Sequence, residues 1–322
     1  MTIFATARPA APNTPLECRD AFERGELDRL ELWRRFAERH RVIAEHAPAL
    51  ADTQIAALVI EPSGLSATLQ NGLSFALDPD ALREAPNVIL SQGGYETFEL
   101  ALISRLARGA EIVFDIGANI GWYSLHIAQQ EPQARVYAFE PVPATHERLL
   151  VNISRNVSGN RVTPVRDGLT DAPGAFDMFV PATSGSPAAS LNELHPGEGS
   201  RRVSCQFTTL DQFVDDNAVD RLDFLKCDVE GAELRVLKGG LKSIDRFRPA
   251  VVIELLRKWS AAFGYHPNDV LDLFAAMGYL CYGVSDGALT KIERVTDDTR
   301  ETNYVFLDPA RHPPVNAILA DC

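Results

Sequence analysis

The residues of this chain best suited to chemistry are acids that fall where short β-prone runs end. Asp115 closes IVFD, Glu140 sits in AFEP, Asp228 in KCDVEG and Glu254 in VVIELL. In an open α/β sheet ligands bind outside the carboxyl ends of the strands, so acids at those ends carry more weight than acids elsewhere. Asp115 leads into DIGANIG, where Gly117 and Gly121 punctuate a strand-to-helix turn. Such a turn aims backbone N–H groups and a helix N-terminus at one point, where the anionic group of a ligand can rest.

The glycine spacing selects among cofactors. Asn119 occupies the middle position of GxGxxG, and its Cβ and amide would crowd a pyrophosphate. Trp122 and Tyr123 follow Gly121 where a P-loop requires Lys and Ser or Thr. S-adenosylmethionine carries no phosphate. Its ammonium suits a carboxylate such as Asp115, and its carboxylate can take backbone N–H groups near Gly117 or the Asn119 amide. Glu140, about 25 positions after Asp115, stands where a doubly wound domain places the acid that accepts both ribose hydroxyls, a feature shared with nicotinamide sites. Asp167 is a candidate acceptor for the adenine amino group, with Gly168 and Leu169 along the base; a plain Asp–Gly turn is the competing reading. Glu96 is a candidate for the amino-acid end of the cofactor.

On the acceptor side, a hydroxyl must lose its proton near the transition state, and a carboxylate within hydrogen-bond reach can take it. Asp228 is the first candidate, with Glu230 and Glu254 as alternatives and His195 as the one histidine retained on the substrate side. For Asp228 the competing role is a helix N-cap. A carboxylate acceptor needs no base, and the acids would then bind substrate or a divalent ion. None of the seven histidines stands in HxH or HExxH spacing, so no dedicated metal site is expected.

The elements that must position these residues alternate. Residues 112–114 read as a strand, the pattern of Leu125, Ile127 and Ala128 as a helix, 135–139 as a strand, 143–156 as a helix and 162–165 as a strand. After a stretch rich in Pro, Gly, Ser and Ala at 171–207, with strand-like runs only at 176–180 and 203–207, the alternation resumes. Helices are expected at 210–216, 232–237 and 268–277, and strands at 222–227, 250–253, 279–284 and 304–307. This is a doubly wound α/β fold. Three parts are expected: a helical N-terminal appendage at 1–54, divided at Gly25, short antiparallel strands at 55–95, and a cofactor-binding domain at 96–322 that opens with a helix at 96–108. The appendage has three available roles: capping the active site, forming a homodimer contact, or covering an edge of the main domain.

Composition narrows the partners. With 322 residues, 46% hydrophobic, the chain can bury a sizeable core. Its net charge of −13 argues against nucleic acid and against an anionic membrane, and for a small-molecule acceptor. Five scattered cysteines outside CxxC spacing predict neither a disulfide framework nor a zinc site, and point to a reducing cytosol. The opening MTIFATARPAAPNTP lacks a cationic start followed by an apolar core, and no run reaches about 18 apolar residues, so neither export nor membrane spanning is expected.

VFDIGANIGWYS, AFEPVP, TLDQF, FLKCDVEGAELRVLKGG and VVIE, in this order across residues 94–307, resemble the FkbM family of S-adenosylmethionine-dependent methyltransferases. The resemblance implies a class I methyltransferase fold with a seven-stranded sheet whose final strand is antiparallel. It also implies O-methylation of sugars, polyketide-like natural products or carboxylic acids. The chain departs from the family at Cys227, where Ile is frequent, in its charged N-terminal helices, and in SPAASLNEL, where relatives often carry a Ser/Gly-rich loop. A hydroxyl O-methyltransferase is therefore the leading expectation and a carboxyl O-methyltransferase the alternative. A nicotinamide oxidoreductase lacks its glycine fingerprint, and a non-catalytic scaffold would have no use for Asp228 and Glu254.

Overall fold

A computed structural model describes residues 14–182, 186–285 and 287–319; Cys322 and the first 13 residues of the expected appendage lie outside them. The chain divides into two compact units, Met1–Thr53 and Gln54–Cys322.

In the first unit, α1 (Pro15–Glu23) opens with a reciprocal cap. Thr14 N–H donates to Glu17 Oε2 at 2.8 Å, and Glu17 N–H donates to Thr14 Oγ1 at 3.2 Å. Gly25, at φ 75°, lets the chain turn before α2 (Arg29–Ala44), which Asp28 caps by accepting the Glu31 N–H at 2.8 Å. A short α3 (His46–Leu50) follows. Leu30, Trp33 and Ile43, part of the apolar spacing that marks α2 as a helix, are exposed.

The second unit begins with an antiparallel sheet of β1 (Ile55–Glu61), β2 (Gly64–Leu69) and β3 (Ser74–Leu77), then α4 (Ala85–Gln92) and α5 (Thr97–Leu106). The alternating core follows: β4 (Ile112–Ile116), α6 (Trp122–Gln130), β5 (Arg135–Phe139), α7 (Pro143–Arg155), β6 (Val162–Val165). Next come β7 (Gly168–Leu169), β8 (Gly174–Pro181), β9 (Ser200–Thr208), α8 (Leu210–Asp216), β10 (Phe224–Cys227), α9 (Glu233–Lys238), α10 (Leu241–Phe247) and β11 (Ala250–Glu254). The unit closes with α11 (Arg257–Ala262), α12 (Pro267–Ala276), β12 (Leu280–Ser285), β13 (Ala288–Lys291), β14 (Asn303–Leu307) and α13 (Val315–Leu319).

The central sheet has eight strands in the order β13-β12-β14-β11-β10-β4-β5-β6. The pairs from β11 to β6 are parallel, and β14 runs antiparallel to both β11 and β12. Seven strands thus follow the expected class I pattern, and β13 adds an eighth at the edge by folding back on β12. FLKC and AVVIE are buried on both faces, which is why they read as continuous apolar runs rather than alternating ones. One face packs on an edge-to-face cluster in which Phe114 lies 5.2 Å from Phe139 and 5.6 Å from Phe213.

Three differences from the expected elements have physical causes. Residues 171–207 are more ordered than their Gly and Pro content implies, because β8 and β9 pair antiparallel over eight residues and join β7 in a second sheet. Their alternation sets Met178, Cys205 and Phe207 into a small core with Val142 and Ala189. Short helices α4, α10 and α11 also form; α4 begins with Pro86 in its first turn, a start signal that the sequence carries. Glu96 is not a helical residue but the left-handed residue that precedes α5, at φ 44°.

The strand β3 is held to the core by two asparagines of α7. Asn152 Oδ1 accepts the Ala76 N–H at 2.8 Å while its Nδ2 donates to the Ile120 carbonyl at 2.8 Å, and Asn156 exchanges two bonds with Ser74 at 2.9 Å each. Asn152 is 1% exposed. Asn152→Ala leaves a buried donor and acceptor unpaired and should cost about 2–4 kcal/mol, read as a lower urea midpoint at unchanged m-value.

Candidate active site

At the carboxyl ends of β4, β5, β10 and β11 lies a cavity of about 390 Å³. Its lining includes Glu96, Gly117, Asn119, Glu140, Gly168, Leu169, Asp228, Glu230 and Glu254. Sequence-selected residues far apart in the chain therefore meet in one place. Asp115, Gly121, Asp167 and His195 do not line it. Asp115 lies buried near the turn, its Oδ2 accepting from Ser124 Oγ at 2.6 Å, and its Oδ1 has no protein partner. Gly121 caps α6 from beneath, where a Cβ would sit 2.6 Å from Leu149. Asp167 is exposed, and His195 packs on Trp259 with ring centroids 5.1 Å apart and its Nδ1 3.4 Å from Glu198.

The turn after β4 is built by close backbone approach. A Cβ on Gly117, at φ 82°, would fall 1.8 Å from the Asp228 carbonyl oxygen, so only glycine fits. The N–H groups of Gly117 and Ala118 both donate to the Phe139 carbonyl, at 3.0 and 2.9 Å. Glu140, next in the chain, reaches back: its Oε2 accepts the Asn119 N–H at 3.1 Å and its Oε1 the Val142 N–H at 2.9 Å. Of the five described residues other than glycine at positive φ, three line this cavity: Glu96, Asn119 and Glu230. Such conformations cost energy and gather where the surroundings enforce a working geometry.

The second half of the site is the loop from β10 to α9. Asp228, Glu230 and Glu254 each offer an oxygen within 4.8 Å of the others, a spacing that one divalent cation could bridge. A cation of the chain already stands there. Lys226 lies on β10 in register with Asp115, is buried, and holds its Nζ 3.1 Å from Asp228 Oδ2 and 4.8 Å from the centre of the Tyr123 ring. Glu233 fastens the loop: its Oε1 accepts the N–H groups of Val229 and Gly231 at 3.2 and 2.9 Å, and its Oε2 accepts from Tyr265 at 2.9 Å. The insertion adds a wall of Pro187, Ala189 and Leu191, tied on by Ser190 Oγ, which donates to the Glu230 carbonyl at 2.7 Å.

Crowding of acids in a partly desolvated space raises their proton affinity. Burial, then Asp228 and Glu233, pushes Glu230 up to about 8. Burial, then Asp228 and Glu230, pushes Glu254 up to about 10. Burial pushes Glu140 up to about 7, against the two backbone donors that favour its charged form. For Lys226 burial favours the neutral amine, but Asp228, Asp115 and Glu96 outweigh it and hold the ammonium above its ordinary value.

Sequence reasoning missed Lys226, Arg83, Tyr95 and Tyr123 in the lining. A lysine between Leu225 and Cys227 in an apolar strand is the signal that could have found the first, since a buried lysine demands carboxylate partners. The strand order, the turn after β4 and the adjacent acids define a class I methyltransferase fold. The chain belongs to the FkbM methyltransferase family: the Methyltransferase FkbM domain matches residues 115–281. It is 31% identical over 176 residues to the hexuronic acid methyltransferase AglP of Haloferax volcanii, covering 55% of this chain and 66% of that one. It is 30% identical over 153 residues to the methyltransferase SdnD of Sordaria araneosa, covering 39% and 59%. The chain thus spans about three fifths of the length of these relatives. A crystal structure of a Methyltransferase FkbM from Methylobacillus flagellatus aligns over 61% of this chain and 43% of that one, at 20% identity and a TM-score of 0.39.

The raised Glu140 links stability to pH. The folded state holds this proton more tightly than the unfolded chain, so the contribution is full below the ordinary value of 4.5 and is lost as pH rises through about 7. Glu140→Gln should therefore lose little against wild type at the acid end of that window and gain about 2–3 kcal/mol relative to it by the neutral end. Urea unfolding of both proteins across the window checks this; parallel curves would show that Glu140 ionises freely.

Proposed function

We propose that this protein transfers a methyl group from S-adenosylmethionine to a hydroxyl oxygen of a small molecule. The observation that carries this reading is the juxtaposition of the glycine turn and Glu140 with the cluster of Asp228, Glu230 and Glu254 in one cavity, where burial and crowding raise the proton affinity of Glu230 and Glu254. The residues fit the cofactor: Gly117 leaves the backbone bare, Asn119 Oδ1 is buried without a protein partner, and Glu140 is held in place by two N–H groups. When bound, S-adenosylmethionine supplies an electrophilic methyl group on sulfur.

In this reading Glu140 accepts the ribose hydroxyls, Gly168 and Leu169 lie along the base, and Glu96 faces the amino-acid end. The acceptor's hydroxyl proton passes to the cluster of Asp228, Glu230 and Glu254. Asp228, ion-paired to Lys226, orients the hydroxyl and is the first candidate to take the proton, with Glu230 as the alternative. Alignment and exclusion of water supply much of the remaining rate. An acceptor carboxylate would add to a crowding of acids that already pushes Glu230 and Glu254 toward their protonated forms, which favours a hydroxyl over the carboxyl alternative. The hexuronic acid named for AglP offers both groups and leaves that choice to the local electrostatics. Domain boundaries at 1–54, 55–95 and 96–322 belong to the same proposal.

S-adenosylhomocysteine should raise the melting temperature, since it binds the folded state alone; no rise at about millimolar ligand would remove the cofactor assignment. Glu140→Ala should weaken that binding by about 1.5–3 kcal/mol in calorimetry, and unchanged affinity would make Glu140 a bystander.

Single-turnover methyl transfer tests the chemistry. With a hydroxyl acceptor, Asp228→Asn should lower the rate about 10²–10⁴-fold at nearly unchanged cofactor affinity. With a carboxylate acceptor it should retain much of the rate. If Glu230 takes the proton instead, the wild-type rate should climb as pH passes through about 8 and Glu230→Gln should remove that climb. A variant pair as fast as wild type on a hydroxyl substrate would leave Glu254 as the base.

A further inference from the structure

A second cavity of about 390 Å³ lies at the opposite end of the central sheet, where β10 and β11 begin and β14 ends. Leu106, Leu222, Phe247 and Leu307 supply apolar wall. The charge of its lining is reversed. Arg105 and Arg108 come from the end of α5 and just beyond it, Arg221 from the approach to β10, Arg248 from the cap of α10 and Arg311 from the segment after β14. Among the described residues Asp223 is the one carboxylate of the lining. Five of the chain's 31 lysines and arginines thus meet at one cavity of a protein whose net charge is −13.

Local needs account for part of this charge. Arg221 Nε lies 2.6 Å from Asp223 and Arg248 Nε 2.8 Å from Asp308. Arg105 and Arg108 stand at the C-terminal end of α5, where cations offset the helix dipole. Arg311 is explained by neither. Its Nη1 donates to the Phe247 carbonyl at 2.8 Å, and no carboxylate lies within ion-pair distance of it among the described residues. His312, also in the lining, accepts the Asp308 N–H on Nδ1 at 2.9 Å, which leaves its ring proton on Nε2 as a further donor. Guanidinium forks match phosphate oxygens, and an apolar-walled cavity of this size suits a small organic molecule.

We propose that this amino-end cavity is a second ligand site, for a small molecule that carries phosphates on an aromatic or apolar body, of which a nucleoside diphosphate is the simplest member. The acid-lined cavity at the other end repels the same ligand. Calorimetric titration of ADP into protein saturated with S-adenosylhomocysteine tests it, with adenosine as the uncharged control. ADP should bind with Kd below about 1 mM and adenosine at least about tenfold more weakly. Arg311→Gln and, separately, Arg108→Gln should each weaken ADP about three- to tenfold, with S-adenosylhomocysteine affinity unchanged. Arg108 is exposed, so its variant keeps the test valid if loss of the Phe247 contact unfolds Arg311→Gln. Absence of ADP binding, equal binding of adenosine, or unchanged ADP affinity in every folded variant would overturn the proposal. Cofactor affinity, read in the same samples, reports on the carboxyl-end cavity alone.

Discussion

The working end of this protein depends on one close contact, the approach of Gly117 to the carbonyl oxygen of Asp228, where no side chain can enter. It nests the turn after β4 against the turn after β10. The Asp228 N–H donates to the Ile116 carbonyl at 3.0 Å, and the Gly117 and Ala118 N–H groups gather on Phe139 at the end of β5. Three strand ends are thus joined through backbone before any side chain acts. Because β4 and β10 are separated by about a hundred residues, the energy that holds the contact comes from burial of the whole core, with Phe114, Phe139 and Phe213 at its centre.

That framework explains how so many acids can share one cavity. Each is tied to a different support: Glu140 to the N–H groups of Asn119 and Val142, Glu96 to the hydroxyl of Tyr123, Glu84 to Arg148, and Asp228 to Lys226. Glu233 stands behind them and holds the loop that carries Asp228 and Glu230, while burial pushes its own proton affinity up to about 7. At Glu230 and Glu254 burial and the neighbouring acids outweigh the pull of Lys226, and both hold their protons. The site is an array in which rigid backbone bears the repulsion.

The strand ends were legible because burial on both faces leaves an unmistakable apolar run, and acids at the ends of IVFD, AFEP, KCDVEG and VVIE stand out against it. The family pattern followed from those segments, and the sheet order from the family. The walls of the cavity were not legible. Gln92 comes from a short helix, and Arg83 from the turn before it, whose neighbours in space lie far along the chain, and Ala189 and Leu191 from an insertion whose Pro and Gly content masked a real β-ribbon. His195 was selected by residue type, but nothing in its local sequence could say that it turns toward Trp259. Spacing along a strand carries direction, whereas a loop residue's direction is set by what it packs on.

The acid lining also bears on what happens after the chemistry. With the proposed cofactor, the sulfur enters with a positive charge and leaves as a neutral thioether, while the acceptor's proton remains behind on a carboxylate. Both changes weaken the electrostatic attraction between cavity and nucleoside at the same moment. The enclosure thus favours the spent nucleoside less than the fresh one, and relief of product inhibition becomes a property of the charge layout, requiring no lid or hinge.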